Sequence, residues 1–567
     1  MRRERYMRML RTICLLPAAW LGLASCTRDT SPRAAANTTV HVTDTAPPPR
    51  TALLGGLGPY HREIRTTNAE AQRFFDEGLN LLYGFNHEEA FVSFNRAAAL
   101  DPTAPMPHWG MALALGTNIN DPAPADRVAK AYTHLTTATQ LAANGSPVEQ
   151  GLVAALTHRY VADPVGDPLK REQSYAAAMG ALSRQFPADA DVATLYAESL
   201  MNLHPWKLYK ANGAPEAWTP EIVATLERVL ERNDRHPGAN HYYVHAVEAS
   251  VNPARAAASA TRLETLVPGA GHLVHMPSHI YIRTGEFAKA AQSNAIAAAV
   301  DEKYFGRRHR QSFYAMAYYG HNLQFESAAA MYAGNFAEAL TAAQRTVSLE
   351  EPMADQMAML EPFAAQELLV LARFGDWSAI LGHKPPPATR TIQTGLYRWA
   401  RGTALVHTGK LMEAAVERDS LRVAITRVPK DAMVGPANWG GDVLAVALAD
   451  LTGRFRLAAA DTSGAIAAFT EAVAAEERLG YNEPPDWLFP ERERLGVALL
   501  AAGKAVEAER IFRADLEKHI GNPRSLYGVY LSLEARRDPG ADAAKRVFDA
   551  AWRSADVVLG PDLYPRR

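Results

Sequence analysis

The stretch that decides the fold reads AQRFFDEGLNLLYGFNHEEAFVSFNRAAALDPTA and runs from Ala71 to Ala104. Its small, large and helix-breaking positions are, in order, Gly78, Ala90, Phe94, Ala97 and Pro102. Two antiparallel helices need small residues where they touch and a large residue that fills the next unit. The proline ends the second helix, because it lacks an amide hydrogen and disfavours helix in the residue before it. The stretch therefore predicts one helix-turn-helix unit.

The same pattern returns along the chain. A glycine followed five residues later by an alanine occurs at Gly285 and Ala290, Gly334 and Ala339, Gly409 and Ala414, and Gly503 and Ala508. An alanine followed four residues later by a phenylalanine occurs at Ala465 and Phe469, Ala508 and Phe512, and Ala544 and Phe548. One helix pair cannot bury its apolar face alone, so successive pairs must stack. We predict an almost wholly helical chain whose helix pairs turn at these glycines.

These residues resemble the tetratricopeptide repeat family, whose signature is Gly, then Ala-x3-Phe, then Pro within one repeat. The resemblance covers most of residues 70–555, in about eight to ten degenerate units. It implies an all-α fold, a helical solenoid of stacked antiparallel pairs over residues 59–567. Two loops, Asn202–Thr219 and Lys384–Ala388, interrupt the pattern. In that family the concave surface binds ligands, so a protein or peptide partner in the groove is the function that the resemblance favours.

The N-terminus reads as an export signal. Five arginines between residues 2 and 11 precede an apolar run from Ile13 to Ala24, which is too short to span a bilayer. The run ends in Leu23-Ala24-Ser25-Cys26, which resembles the lipobox of bacterial lipoproteins. The resemblance implies a signal peptide over residues 1–25, with Met1 or Met7 as the start, and lipidation of Cys26. The alternative is an ordinary signal peptide with a chance cysteine.

Residues 26–58 are rich in Thr, Ala, Pro and Gly, which is typical of a disordered tether. Thr27 follows the cysteine, whereas Asp at that place retains Gram-negative lipoproteins at the inner membrane. The resemblance therefore favours a cell-envelope protein on the outer membrane, facing the periplasm. The lipid anchor is the only membrane attachment that the sequence predicts.

Composition narrows the chemistry. The chain has 59 Lys and Arg residues and 61 Asp and Glu residues, so its net charge is close to zero. Non-specific electrostatic binding of nucleic acid is therefore not expected. The only cysteines are Cys14 and Cys26, so a metal site in the mature chain needs His, carboxylate, Met or backbone ligands. No phosphate-binding loop, HExxH motif, GxSxG elbow or dinucleotide fingerprint is present, and the sequence leaves open whether the protein is an enzyme.

A histidine-rich segment, residues 190–325, departs from a plain scaffold. His241, His245 and Glu248 are spaced i, i+4, i+7, so they share one helical face. A second set with the spacing i, i+3, i+7 is His272, His275 and His279. Pro277 lies inside this second set and can kink or start a helix there, which would disturb the shared face.

The offset between the two sets equals one repeat. His241 and His275 are 34 residues apart, and His245 and His279 have the same separation. We predict that these four rings form a patch on neighbouring helices of the concave surface, with Glu248 and His272 at its edge. Additional candidates in the groove are Glu198 and His321, with His309 nearby.

This patch gives the alternative function, a metal-binding protein or metalloenzyme. Zinc is the first expectation, and copper or iron would also suit imidazole and carboxylate ligands. Histidines that are buried separately at repeat junctions, each satisfied by the backbone, would favour the bare scaffold. The sequence alone does not decide between converging and separate rings.

Overall fold

The computed structural model describes residues 51–306 and 312–566 and shows a helical solenoid. The first half contains α1 (Ala69–Tyr83), α2 (His87–Leu100), α3 (Pro105–Ala114), α4 (Ala125–Leu141), α5 (Pro147–Leu156), α6 (Pro168–Gln185), α7 (Ala190–Leu203), α8 (Thr219–Arg232), α9 (Pro237–Val247), α10 (Ala257–Leu266), α11 (Gly271–His275), α12 (Pro277–Thr284) and α13 (Phe287–Phe305). The second half contains α14 (Gly320–Ala333), α15 (Phe336–Glu350), α16 (Glu361–Ala364), α17 (Gln366–Phe374), α18 (Trp377–Gly382), α19 (Thr391–His407), α20 (Leu411–Ile425), α21 (Gly440–Ala458), α22 (Thr462–Glu476), α23 (Glu491–Ala501), α24 (Ala505–Lys518), α25 (Pro523–Ala535) and α26 (Ala541–Ala551).

The remaining elements are short. Single turns of 3-10 helix lie at Ala142–Asn144, Pro253–Ala256, Glu351–Met353 and Ala358–Leu360, and a π-helical turn at Ala315–Tyr319 precedes α14. The strands form two small antiparallel pairs, β1 (Met433–Val434) with β2 (Asn438–Trp439) and β3 (Val558–Leu559) with β4 (Pro565–Arg566). The all-α prediction is therefore confirmed. No helix in the described ranges is both long and apolar enough to cross a membrane.

Helix pairs turn where the glycines predict. All four glycines adopt the left-handed conformation, with φ of 84° at Gly285 and Gly334, 75° at Gly409 and 71° at Gly503. Residues with a side chain pay a steric cost in this conformation, whereas glycine does not. The predicted turn positions are confirmed.

The repeat core uses the predicted contrast of small and large residues. Phe94 in α2 is fully buried between Gly78 of α1 and Gly110 of α3. A Cβ atom added to either glycine would lie only 2.7 Å from the Phe94 ring. Alanine at these two positions would therefore push the helices apart, which explains why α1, α2 and α3 approach so closely.

The folded part begins before the predicted boundary at residue 59. The Leu54 amide donates to Glu77 Oε2 at 2.6 Å, and the Gly269 amide donates to the Gly56 carbonyl oxygen at 2.7 Å. Leu57 is buried in the same core as α1 and α2. Residues 54–58, which the sequence assigns to the tether, thus pack against the solenoid because they carry apolar side chains and pair their backbone with it.

The C-terminal units fold back onto the centre of the chain. Arg373 in α17 pairs with Glu493 in α23, and Arg524 in α25 donates to the Met331 carbonyl oxygen of α14 at 3.1 Å. Gly285 lies directly against the backbone of Ile520. These contacts close the superhelix between its C-terminal units and its central helices.

Candidate metal centre

Among the residues that the structure describes, six histidines and one glutamate meet in the interior. His241 and His245 come from α9, and Glu248 follows at its C-terminal end. The second set comes from α11 and α12, and His321 from the first turn of α14. Pro277 starts α12, but Met276 keeps helical dihedral angles, so the chain continues in nearly the same direction. His272, His275 and His279 therefore still face the same interior.

The histidines separate into two trios. In the first trio, His241, His245 and His272, one ring nitrogen of each lies within 4.8 Å of the others. The second trio, His275, His279 and His321, meets the same limit. The closest approaches are 3.1 Å between the Nε2 atoms of His241 and His272, and 2.7 Å between those of His275 and His279. Five of the rings are at most 5% exposed, and His321 is partly buried.

The Nδ1 atoms of two rings donate hydrogen bonds to uncharged acceptors outside the cluster, and these bonds set the orientation of the rings. His241 Nδ1 donates to the Tyr83 carbonyl oxygen at 2.6 Å. His275 Nδ1 donates to Asn294 Oδ1 at 2.6 Å, and the amide group of Asn294 is oriented by its own donation to the Ala290 carbonyl oxygen at 2.8 Å. An oxygen acceptor requires the proton on Nδ1, which leaves a lone pair on Nε2.

Glu248 fixes two more rings, one in each trio. His245 Nδ1 donates to Glu248 Oε1 at 2.8 Å, and His279 Nδ1 donates to Oε2 of the same carboxylate. Such a carboxylate behind a histidine orients the ring and raises the basicity of its other nitrogen. In the neutral form, which binds metal, the Nε2 atoms of all four rings in the 34-residue register therefore present lone pairs to the interior.

A metal cation would stabilise this arrangement. When both rings are neutral and both Nδ1 atoms donate, two lone pairs face each other at 2.7 Å between His275 and His279. Within the described residues, His245 Nε2 and His272 Nδ1 are buried and have no hydrogen-bond partner. Buried polar atoms normally have partners. A shared metal ion would satisfy the converging nitrogens.

Burial favours the neutral form of five of the six imidazoles by lowering their pKa values. Burial, together with the neighbouring histidines, holds the pKa values of His241, His272 and His275 well below the usual range. Burial also lowers the pKa of His321, to about 3. Glu248 is ionised: burial opposes this, but His279 and His245 bring its pKa below the usual range. Neutral imidazole is the form that binds metal.

A narrow cavity reaches one side of the cluster. It is lined by Trp206 and His204 from the loop between α7 and α8, by Tyr481 from the loop after α22, and by His245 and Glu248. The Tyr481 hydroxyl donates to Glu248 Oε2 at 3.4 Å. The cavity volume is about 20 Å³, enough for about one molecule of the size of water.

The structure places most of the sequence candidates together and corrects two details. The four rings in the 34-residue register converge, but His272 lies within the first trio rather than at the edge, because α11 directs it at His241. Glu198 is not in the cluster. Its carboxylate accepts a hydrogen bond from the Asn202 side chain. The positive charge that acts on its pKa is that of Arg159, and no histidine contributes. Cys26 and His309 lie outside the described residues.

Three partners have no signal in the sequence. The Tyr83 carbonyl, Asn294 and Tyr481 come from α1, α13 and the loop after α22. A backbone carbonyl is present in every residue, and the other two side chains lie in no motif. Only the packing of distant helices identifies them.

Comparison with solved structures gives helical-repeat proteins at low similarity. The human IFIT1 dimer with m7Gppp-AAAA is 12% identical, covers 86% of this chain and 90% of its own, and has a TM-score of 0.29. Yeast Tom70 is 12% identical with coverages of 84% and 98% and a TM-score of 0.28. The TPR domain of P58(IPK) is 12% identical with coverages of 83% and 99% and a TM-score of 0.22.

These values carry no functional argument, and the fold assignment rests on the helix pairs described above. No protein-family model and no curated protein matches the chain.

Proposed function

We propose that this protein is a metalloprotein whose transition-metal centre is the buried histidine cluster. One observation carries the proposal: four Nδ1 atoms are hydrogen-bonded on the outside of the cluster, which turns four Nε2 atoms toward its interior. A set of separately buried structural histidines would each point at its own backbone or side-chain acceptor. A cation shared by the Nε2 atoms accounts for both the tautomers and the close nitrogen contacts.

The donor set selects the class of metal. Six of the seven candidate ligands are imidazoles and the seventh is the Glu248 carboxylate, and both cysteines of the chain lie in its first 26 residues. Imidazole suits zinc, copper, iron and nickel, whereas magnesium and calcium prefer oxygen ligands. Zinc stays the first expectation, with copper and iron as alternatives.

Binding of a protein or peptide in the concave groove is the other proposal that the repeats suggest. At the level of the histidines, Tyr481 and the loop around Trp206 cover the inner surface. A peptide would have to displace both loops to reach these residues. The metal proposal therefore accounts for the convergence of the rings, while partner binding would use other surfaces of the solenoid.

The metal proposal is tested by calorimetric titration of the full chain with Zn²⁺ and with Cu²⁺. The double variant His245→Ala, His275→Ala removes one ligand from each trio and is expected to weaken binding at least about 100-fold, since loss of even an outer partner costs about 10–100-fold. His158→Ala, which removes an exposed histidine, serves as the matched control and should bind like the wild type. Equal affinity in all three proteins, or no binding by the wild type, would contradict the proposal.

We also propose that the protein is anchored in the bacterial envelope through Cys26. The support is the lipobox-like Leu23-Ala24-Ser25-Cys26 after a short apolar run. Cys26→Ser is expected to leave unprocessed precursor or release soluble protein, because the lipid is attached to the thiol. Cell fractionation with a labelled fatty acid measures this, and Cys14→Ser is the control that should keep both label and location. A labelled, membrane-bound Cys26→Ser protein would refute the anchor.

A further inference from the structure

We infer that the cluster is a two-metal centre, with one ion held by His241, His245 and His272 and a second held by His275, His279 and His321. This inference rests on the proposed metal function. It adds the number of metal ions and the class of small ligand that completes their coordination. The observation that carries it is that the six inward rings include two trios with no ring in common, each with its ligand atoms within 4.8 Å of one another, and that Glu248 groups with His245 and His279 between them.

Bond lengths support two ions rather than one. A metal with nitrogen bonds of about 2.0–2.1 Å holds its ligand atoms about 3.3–3.6 Å apart. Within each trio the ligand atoms already lie within 4.8 Å of one another, so small ring movements suffice. Six imidazoles around a single ion would require larger movements of rings that outer hydrogen bonds hold in place.

The trios are close enough to act together. The ring centroids of His245 and His279, which belong to different trios, are 5.3 Å apart, and those of His272 and His275 are 5.5 Å apart. Glu248 accepts a hydrogen bond from one ring of each trio. One carboxylate thus orients a ligand of both ions, which ties their positions to each other.

Charge indicates what completes the centre. Imidazoles bind a metal ion in their neutral form and so contribute no charge, whereas Glu248 contributes one negative charge. Two divalent ions would leave an excess of positive charge in a buried site, which is costly unless an anion offsets it. Each ion has three protein ligands and so keeps an open coordination position.

The ligand that fits is a small oxygen anion, such as hydroxide formed from water. The cavity beside His245 and Glu248 has about the volume of one water molecule, so a ligand of this size fits there. A metal ion lowers the pKa of bound water and thereby stabilises hydroxide near neutral pH.

The test counts metal ions in the full chain. Protein stripped with a chelator and reloaded with Cu²⁺ is desalted and measured by elemental mass spectrometry and electron paramagnetic resonance. We expect two ions in the wild type and in His158→Ala, and one ion in His241→Ala and in His321→Gln. The wild-type resonance should be weaker than that of two isolated ions, because the spins of two neighbouring Cu²⁺ ions couple, and each single-site variant should regain the full signal of one ion.

The outcomes separate this inference from the function on which it rests. No tightly bound ion in the wild type would overturn both. A wild type with one ion, and no ion in either variant, would support the metal function but overturn the two-metal centre. Two ions that persist in both variants would place the sites elsewhere and overturn the inference. His321 is partly buried and at the rim, so His321→Gln is the variant least expected to disturb the fold, and circular dichroism checks both variants.

Discussion

Removal of residues 552–567 is expected to destabilise the centre of the protein, not only its C-terminal end. The segment buries four large side chains: Trp552, Leu559, Leu563 and Tyr564. Full burial of one such side chain contributes about 1.5–3 kcal/mol, so their loss should lower the free energy of unfolding by about 5 kcal/mol or more.

The contacts of this segment explain why the effect should reach the central helices. Asp556 accepts from the amides of Phe336 and Ala337 at 2.7 and 2.9 Å, and so caps the N-terminus of α15 from 220 residues away. Trp552 packs on Gly334, where a Cβ atom would meet its ring. In an open repeat array, by contrast, each unit contacts only its neighbours.

Urea unfolding followed by circular dichroism measures the loss, and hydrogen exchange locates it. The truncated chain should exchange faster in α14 and α15 as well as in α25 and α26. Leu563→Ala, at a fully buried position, should cost about 2–5 kcal/mol. Val558→Ala, in the same segment but 70% exposed, should change stability by less than about 0.5 kcal/mol. Unchanged protection of α14 and α15 after truncation would show that the closure is not energetically important.

Glu493→Ala is expected to cost about 3–5 kcal/mol of stability. Arg373 donates to both oxygens of Glu493 at 2.7 and 2.9 Å, and Asn522 donates to the same carboxylate at 2.9 Å. Arg524 lies nearby, also fully buried, and donates only to carbonyl oxygens. Without Glu493, two guanidinium groups would lose their buried counter-charge. The exposed pair of Lys289 and Glu286 offers the matched control, and Glu286→Ala should cost about 0–1 kcal/mol.

The Glu493 effect should depend on pH in a defined window. Burial opposes ionisation, but Arg373 lowers the pKa of Glu493 from 4.5 to about 2. A carboxyl group with a lowered folded-state pKa stabilises the protein above its unfolded pKa and loses that contribution as pH falls toward the folded value. The difference in unfolding free energy between wild type and Glu493→Ala should therefore be constant above about pH 5 and shrink between pH 4.5 and 2. A difference that does not shrink would contradict the assigned role of the pair.

The sequence by itself determined the repeat architecture. Small and large residues at helical spacing predict close helix pairs, and a left-handed glycine such as Gly285 marks each turn, because these are local steric requirements. The same local periodicity predicted that His241 and His245 share a face, and the 34-residue offset predicted that they meet His275 and His279. All four do converge.

Only the tertiary structure decided how the rings divide and what surrounds them. His272 joins the first trio and His321 the second, while Glu198 pairs with Asn202 instead. The carbonyl of Tyr83 and the hydroxyl of Tyr481 reach the cluster from opposite ends of the chain. Periodicity fixes directions within one helix. Contacts between distant repeats depend on the small rotation of each helix pair relative to the last. These rotations add up along the superhelix, and their total cannot be predicted from any short stretch of sequence.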